Sequence, residues 1–273
     1  MPEIPAITLS NGVAMPCLGF GLYKQSDRHG SAVSAALEAG YRSFDSASIY
    51  GNEPAVGKAL EASGVPRHEL FVTGKVWNGD QGHRRTIQAF ERSLDDLRLD
   101  HLDLYLIHYP APGRDRYVET WLALEELLAA GRVRAIGVAN FEPEHLRRIL
   151  GAGTVAPAVN QVELHPLLPQ ARLRALHAEH GIVTEAHTPL ARGNLVASPA
   201  LAAVAAKHGR TPAQVALRWH VQQGHVAIPK SATPARIRQN IDVFGFALDA
   251  GDVARIAAME TGERFAPRPD AVN

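Results

Sequence analysis

Four residues whose side chains could move a proton lie at or near the ends of apolar, strand-like runs. Asp45, Lys75 and His108 each end, or nearly end, one of these runs. Tyr50 follows Asp45 within the next turn of chain. An ammonium group among apolar strand residues is costly unless a carboxylate pairs with it. We therefore predict that Lys75 forms an ion pair with Asp45.

Together these side chains could protonate a carbonyl oxygen. A tyrosine hydroxyl has an ordinary pKa of about 10 and is a weak acid at neutral pH. A neighbouring ammonium favours the phenolate, so we expect Lys75 to lower the pKa of Tyr50. His108 could hydrogen-bond the substrate oxygen and orient it. None of these groups supplies a hydride, which must therefore come from a nicotinamide cofactor.

Short apolar runs alternate with longer amphipathic segments along the chain. Eight such runs indicate an α/β protein with a closed (β/α)8 barrel, the TIM barrel, whose strand ends surround one mouth where the chemistry occurs. The doubly wound sheet is the competing fold, but its glycine fingerprint is incomplete, because Lys24 follows Gly19 and Gly21 where a third glycine should stand. The predicted strands are 18–22, 41–45, 70–76, 102–108, 133–138, 158–163, 182–188 and 226–230, and the predicted helices include 30–39, 84–97, 118–130, 143–150, one that ends at residue 240, and 249–259.

Both ends of the chain add to the predicted barrel. Asn11-Gly12 inside residues 7–15 is a strong hairpin signal, so we predict two short strands that form an N-terminal plug or lid. Residues 263–273 contain prolines and polar residues, and we predict a loop folded over one barrel mouth. No linker or low-complexity segment interrupts the chain, so we predict one domain over residues 1–273.

The composition limits what the protein binds and where it acts. With 273 residues, 46% of them hydrophobic, the chain can bury a substantial core. Its 28 basic residues balance 28 acidic ones, so nothing attracts it to nucleic acid or to an anionic membrane. Cys17 is the single cysteine, and the opening Met-Pro-Glu-Ile-Pro lacks the features of a signal peptide. We expect a cytoplasmic protein that binds neither nucleic acid nor membrane, with a monomer as the default state.

The order and spacing of several motifs resemble the aldo-keto reductases along essentially the whole chain. The compact C-terminal tail is similar to that of the prokaryotic branch that includes the 2,5-diketo-gluconate reductases. The matching motifs are Gly19-Phe20-Gly21, Asp45-Ser46-Ala47 with Tyr50-Gly51-Asn52-Glu53, Val72-Thr73-Gly74-Lys75-Val76-Trp77-Asn78, Ile107-His108-Tyr109-Pro110, Gly137-Val138-Ala139-Asn140-Phe141, Asn160-Gln161-Val162-Glu163-Leu164-His165-Pro166, Pro189-Leu190 and Ile228-Pro229-Lys230-Ser231.

This resemblance implies a TIM barrel that reduces aldehydes or ketones with NADPH. It places the catalytic tetrad on Asp45, Tyr50, Lys75 and His108, with Tyr50 as the proton donor, and adds His108 to the substrate pocket. The implied pocket also contains Tyr23, Trp77 and Tyr109. The implied NADPH-binding residues are Gly21, Leu22, Asp45, Asn140, Gln161, His187, Leu190, Lys230, Ser231, Arg236, Gln239 and Asn240. Among these, Asn140 and Gln161 would meet the carboxamide, the side chain at 187 would stack on the nicotinamide ring, and Lys230, Ser231 and Arg236 would hold the 2′-phosphate.

Two residues depart from the family pattern. Ala139 stands where a serine is usual, so we expect one hydrogen bond to the carboxamide to be missing. His187 stands where tyrosine, tryptophan or phenylalanine is usual. An imidazole offers less stacking area, and a protonated one would repel the oxidised, cationic nicotinamide. We therefore expect cofactor binding that is weaker, or more sensitive to pH, than is usual in the family.

Two alternatives remain open. A barrel that isomerises or hydrolyses sugars would need paired carboxylates or metal ligands at the mouth, which Asp45 alone does not provide. A non-catalytic NADP-binding or structural protein on the same barrel is kept open by Ala139 and His187, although the intact tetrad argues against it. His177 and His180 are three apart on a helix, a spacing that can bind a metal. No third ligand is evident, so we expect a solvated helix face and no metal.

Overall fold

A closed ring of parallel strands forms the centre of the protein. The computed structural model describes residues 4–23 and 29–273, so Lys24 lies outside the described residues. Eight strands pair in chain order, and the ring closes where the amide of Gly19 donates to the carbonyl of Ala227 (2.9 Å). The predicted (β/α)8 barrel is confirmed. The barrel strands are β3 (Phe20–Gly21), β4 (Ser43–Asp45), β5 (Phe71–Val76), β6 (Leu102–Ile107), β7 (Val133–Ala139), β8 (Val159–Glu163), β9 (Val183–His187) and β10 (Val226–Ala227).

The strands bury both faces, which is why their sequences read as continuous apolar runs. Successive side chains point to opposite faces of a strand. On β6, Leu104 and Leu106 pack into the barrel centre with residues of the other strands. Tyr105 and Ile107, which alternate with them, pack in the outer layer beneath the helices. Two apolar layers therefore hold the strand ends in place.

Helices cover the outside of the ring and follow the strands in turn. Proline stands in the first turn of several of them, where its missing N–H costs nothing. None of the described helices is both long and apolar enough to cross a membrane. The helices are α1 (His29–Ala39), α2 (Glu53–Ala62), α3 (His83–Leu97), α4 (Tyr117–Ala129), α5 (Pro143–Ala152), α6 (Ala171–Glu179), α7 (Pro199–His208), α8 (Pro212–Gln222), α9 (Pro234–Ile241) and α10 (Ala250–Ala257).

The N-terminal hairpin closes the end of the barrel opposite the predicted site. Its strands, β1 (Ala6–Thr8) and β2 (Ala14–Pro16), are antiparallel. Leu9 and Met15 are buried against Phe71, which begins its strand, and other barrel residues. The predicted plug is therefore confirmed.

The first and last barrel strands are shorter than predicted. Of the predicted strand 18–22, only Phe20 and Gly21 form regular strand structure. Of the predicted strand 226–230, only Val226 and Ala227 do so. At the join the two segments approach closely, because a Cβ atom on Gly21 would lie 2.9 Å from the carbonyl oxygen of Ile228. Only glycine allows this contact, and the amide of Gly21 donates to Pro229 at 3.2 Å. The join is irregular but hydrogen-bonded.

The C-terminal tail lies over the mouth where the strands end, as predicted. Glu163, the last residue of β8, accepts hydrogen bonds from the amides of Phe265 (2.6 Å) and Ala266 (3.2 Å). Further along, the side chain of Asn78 donates to the carbonyl of Val272 at 3.2 Å. Both Glu163 and Asn78 lie at the carboxyl ends of strands. The tail is therefore fastened to one mouth of the barrel.

His177 contradicts the predicted solvated face of α6. Its side chain is buried, and its ring nitrogens contact Asn160 (2.9 Å) and Thr184 (2.8 Å). His180, in contrast, is exposed. Both nitrogens of His177 are occupied by hydrogen bonds to polar side chains, so this residue links α6 to β8 and β9. The helix lacks a sharp apolar stripe, which is why the sequence did not reveal this role.

Candidate active site

Strands β4 and β5 bring Asp45 and Lys75 together inside the mouth. The two strands are neighbours, with Asp45 opposite Thr73, so Lys75 lies two residues further along on the same face. The Nζ atom of Lys75 lies 2.5 Å from Oδ1 of Asp45 and 2.9 Å from the carbonyl oxygen of Ser46. Lys75 is completely buried, and Asp45 is 2% exposed. The predicted pairing of these two charges is present.

Tyr50 lies beside this ion pair. It ends a short 3-10 turn, Ser48–Tyr50, that follows β4. Nζ of Lys75 is 5.4 Å from the centre of the Tyr50 ring, and the ring of His108 packs edge-on at 5.6 Å. The hydroxyl of Tyr50 makes no hydrogen bond to any described residue. The structure therefore brings the four predicted tetrad residues to one place and leaves one hydroxyl available to a ligand.

The pKa of Tyr50 moves in the direction opposite to our expectation. Burial raises it well above its ordinary value, and the negative charge of Asp45 raises it further. Lys75 does not reverse this shift: its ammonium contacts Asp45 directly and lies 5.4 Å from the centre of the Tyr50 ring. The expectation that Lys75 lowers the pKa of Tyr50 is wrong. Tyr50 is consequently protonated at neutral pH, the state that a proton donor needs.

His108 is buried and uncharged at neutral pH. Burial lowers its pKa well below the ordinary value, and the charge of Lys75 lowers it further. A neutral imidazole carries one N–H and can donate one hydrogen bond. Its Nδ1 atom is buried without a partner among the described residues. His108 can therefore orient an oxygen by hydrogen bonding without adding a charge.

Aromatic side chains surround these groups on the side of the mouth. The rings of Trp77 and Tyr109 pack against that of His108 at 5.3 and 5.4 Å. The ring of Tyr23 packs against that of Tyr50 at 5.2 Å, and 49% of Tyr23 is exposed. The structure places the residues predicted for the substrate pocket around the tetrad. Their role in binding stays a prediction.

Glu185, which was not predicted as a site residue, places a second carboxyl group close to Asp45. The amide nitrogen of Gln161 donates to Oδ2 of Asp45 and to Oε2 of Glu185, both at 2.8 Å. Burial and the charge of Asp45 raise the pKa of Glu185 to about 8, so it is protonated at neutral pH. Asp45 was the one carboxyl group weighed for the sugar-converting alternative, and the structure adds Glu185 beside it. The spacing Glu185–His187 on β9 could have revealed it, because alternate strand residues share a face.

Asn140 and His187 lie together at the carboxyl ends of β7 and β9. Nε2 of His187 is 2.8 Å from Oδ1 of Asn140, whose amide nitrogen donates to the carbonyl of His108 at 2.9 Å. Burial lowers the pKa of His187 to about 4, so its ring is neutral at physiological pH. Repulsion of the cofactor by a protonated His187 therefore does not arise near neutral pH, and the expected weaker cofactor binding stays a prediction. Ring stacking by His187 stays a prediction.

The residues predicted to hold the 2′-phosphate lie where α9 begins. Lys230 and Ser231 precede the helix, and Arg236, Gln239 and Asn240 lie on it at positions i, i+3 and i+4, which share one face. Lys230 and Arg236 are exposed, and neither forms an ion pair with a described residue. Two available cations at a helix N-terminus suit a phosphate dianion. The role of all five residues stays a prediction.

Gly21 and Leu22 lie between these two regions: a Cβ atom on Gly21 would be 3.7 Å from that of Lys230, and the amide of Leu22 donates to the carbonyl of Asp45 at 3.0 Å. Gly21 and Leu22 follow one another at the end of β3. Leu190 precedes a tight turn in which Ala191 (φ 46°) and Arg192 (φ 54°) adopt left-handed backbone. Such strained non-glycine residues cluster at functional sites. These positions are compatible with a ligand that extends from the tetrad to α9.

The donors and acceptors present match NADPH. Asn140 retains one N–H that no described residue uses, and no described residue donates to Oε1 of Gln161. These two groups complement the oxygen and the NH2 of a carboxamide. Lys230 and Arg236 lie at the other end, where a phosphate would be. Asn140 and Gln161 would hold the nicotinamide end, and the two cations would hold the adenosine end.

Comparison with known proteins agrees with this geometry. The model of the Aldo/keto reductase family matches residues 18–261. A glyoxal reductase of Bacillus subtilis is 48% identical over 97% of this chain and 96% of its own length. A methylglyoxal reductase DkgA of Escherichia coli O157:H7 is 46% identical over 99% of this chain and 98% of its own length. The crystal structure of a Gox0644 mutant in complex with NADPH superposes with a TM-score of 0.96, at 45% identity and full coverage of both chains. This chain belongs to the aldo/keto reductase family.

Proposed function

We propose that this protein reduces the carbonyl group of small aldehydes and ketones with NADPH, and that Tyr50 donates the proton. The observation that carries the proposal is the protonated Tyr50 hydroxyl, which has no partner among the described residues and lies between the Asp45–Lys75 pair and neutral His108. When bound, the cofactor supplies the hydride to the carbonyl carbon.

The protein's own residues orient the carbonyl and supply the proton. His108 and Tyr50 can both hydrogen-bond the carbonyl oxygen, which polarises the bond and places its carbon towards the nicotinamide site. As the carbon accepts hydride, the oxygen becomes an alkoxide, a much stronger base than a phenolate. Tyr50 then gives its proton to that oxygen despite its raised pKa. Lys75 keeps its place through Asp45 and limits the accumulation of negative charge around the new phenolate.

We propose 2-oxoaldehydes such as glyoxal and methylglyoxal as the substrate class. The support comes from relatives nearly half identical over almost their whole length that carry the names glyoxal reductase and methylglyoxal reductase. The mouth also suits a small uncharged molecule, because Tyr23, Trp77 and Tyr109 present aromatic surface beside the tetrad. We further propose that the protein is cytoplasmic, which its single cysteine supports, and monomeric, because no second copy is needed to complete the tetrad.

The test is the loss of NADPH absorbance with glyoxal, methylglyoxal and a panel of simple aldehydes and ketones. We expect turnover by the wild type and a decrease of at least about 100-fold for Tyr50→Phe, the contribution typical of a general acid. Equal rates for the two proteins would refute the role of Tyr50. NADPH binding with no turnover of any carbonyl would instead favour the alternative, a non-catalytic NADP-binding protein.

A further inference from the structure

The amide of Asn140 is held from two sides, and this determines which of its atoms faces which neighbour. The carbonyl oxygen of His108 can only accept a hydrogen bond, so the Asn140 atom that contacts it at 2.9 Å is the amide nitrogen. The amide oxygen therefore faces Nε2 of His187 at 2.8 Å. Asn140 itself adopts left-handed backbone with a φ of 61°, which aims its side chain into the mouth.

The same bonds determine where the proton of His187 lies. Because the oxygen of Asn140 can only accept, Nε2 of His187 must carry the hydrogen. Nδ1 of the neutral ring is then an acceptor, and the hydroxyl of Thr188 lies 3.1 Å from it and can donate. A directed chain of hydrogen bonds runs from Thr188 through His187 and Asn140 to the His108 carbonyl. Each member of the chain has one orientation.

Gln161 provides the complementary group. Both of its amide hydrogens are used, one by Asp45 and one by Glu185, at 2.8 Å each. Only its oxygen remains to face a ligand, whereas Asn140 offers one N–H. Glu185 and His187 alternate on the same face of β9, so one strand orients both amides.

We propose that His187 is a positioning residue that orients the amide of Asn140, so that Asn140 presents an N–H to the carboxamide oxygen of the cofactor. The inference rests on the proposed function. A phenylalanine at this position could stack on the nicotinamide but has no N–H to donate to Asn140. Ala139, the preceding residue, is buried and has no hydroxyl to donate. By orienting Asn140, His187 thus compensates for the hydrogen bond to the carboxamide that a serine at position 139 would have provided.

The experiment compares the dissociation constants of NADPH and its thionicotinamide analogue, measured by fluorescence titration. Sulfur is a weak acceptor, so the analogue loses most of the bond from Asn140. We expect the wild type to prefer NADPH about fivefold, the value of one net hydrogen bond. His187→Phe should reduce this preference towards that of Asn140→Ala, because the His108 carbonyl alone then holds the amide. His187→Gln, whose amide can still donate, should retain it.

Controls separate this effect from general changes in binding. His180→Phe makes the same substitution at an exposed histidine before β9, at the other end of the barrel, and should keep the wild-type preference. Adenosine 2′,5′-bisphosphate, which lacks the nicotinamide, should bind all variants equally. In the Asn140→Ala background, His187→Phe should leave the preference unchanged. Stacking by the new phenylalanine would tighten both dinucleotides alike and would not restore the preference.

The contradicting results are distinct. If His187→Phe keeps the full preference while Asn140→Ala loses it, Asn140 is oriented without His187 and the inference is overturned. If the wild type binds NADPH without any preference over the analogue, the contact to Asn140 is absent and the inference is likewise overturned. If the wild type does not bind NADPH, the proposed function fails with it.

A measurement on the protein without nucleotide tests the orientation itself. In ¹⁵N NMR spectra of the histidine rings, His187 should show the tautomer with hydrogen on Nε2. In Asn140→Ala nothing enforces this tautomer, so both tautomers of His187 should be present. The Nδ1–H tautomer in the wild type would overturn the inference, whatever the binding results.

Discussion

Removal of the ammonium of Lys75 should destabilise the protein strongly, because Asp45 would be left buried and unpaired. Lys75 is completely buried and Asp45 is 2% exposed, so water cannot replace the lost contact at 2.5 Å. Loss of one partner of a buried ion pair costs about 3–5 kcal/mol. Gln161 keeps its hydrogen bond to Asp45 at 2.8 Å. We therefore expect Lys75→Met to lower the free energy of unfolding by about 3 kcal/mol, the lower end of that range.

A second substitution, Asp45→Asn, should have opposite effects on stability with and without Lys75. In the wild-type background it leaves the buried ammonium of Lys75 facing a neutral amide, so it should destabilise. In the Lys75→Met background it removes the unpaired carboxylate, so it should stabilise the protein by about 1 kcal/mol or more. The sign of the effect reverses between the two backgrounds. Both variants should lose turnover, because Tyr50 no longer has its charged neighbours in place.

The assay is urea denaturation at pH 7, followed by circular dichroism. Lys58→Met is the matched control, since Lys58 is exposed on α2, and its denaturation midpoint should equal that of the wild type. If Asp45→Asn lowers stability by the same amount in both backgrounds, the two charges are not coupled in the folded protein. The predicted cost of an unpaired Asp45 would then be wrong.

Three further predictions concern the cofactor, pH and the tail. Lys230→Ala and Arg236→Ala should each weaken NADPH binding about 10-fold, the loss of one charge-assisted bond, and leave NADH binding unchanged in fluorescence titrations; equal losses for both nucleotides would contradict the predicted phosphate site. His177 has a pKa lowered by burial to about 4, below the ordinary 6.5, so the unfolded chain binds more protons as the pH falls. The contribution of neutral His177 to stability is complete above pH 6.5 and is lost towards pH 4. The free energy of unfolding should therefore fall by about 2 kcal/mol less for His177→Gln than for the wild type between pH 7 and pH 5. Parallel curves of stability against pH for the two proteins would exclude this role of His177. Glu163→Gln should loosen residues 263–273, detected as faster amide hydrogen exchange there but not in α8, because a carboxylate that accepts three tail contacts becomes a neutral amide; unchanged exchange would show that other contacts hold the tail.

Features that depend on local pattern could be predicted from the sequence. The alternation of apolar runs and amphipathic segments predicted the barrel, because strands buried on both faces need such runs. The cost of a buried ammonium predicted the partner of Lys75, and the spacing within a parallel barrel placed Asp45 beside it. Asn11-Gly12 predicted the hairpin because few other residues fit its turn. In each case the residues in a short stretch of sequence favoured one structure over its alternatives.

Features that depend on contacts between residues distant in the chain could not be predicted in the same way. The pKa of Tyr50 depends on how deeply its hydroxyl is buried and on how closely Asp45 approaches it, distances that no motif encodes. His177 looked solvated because its partners, Asn160 and Thr184, lie on two other elements. Contacts between residues distant in the chain decide such cases.

Deuterium labelling can follow the hydride from NADPH to the alcohol and so test the proposed reaction directly. Methylglyoxal would be incubated with the protein and with NADPH that carries deuterium at both positions of the hydride-donating carbon, and the alcohol formed would be analysed by mass spectrometry. We expect one deuterium on the carbinol carbon per NADPH consumed, and at least about 100-fold slower formation of the same labelled product by Tyr50→Phe. An alcohol without deuterium, or undiminished product formation by Tyr50→Phe, would contradict the central claim.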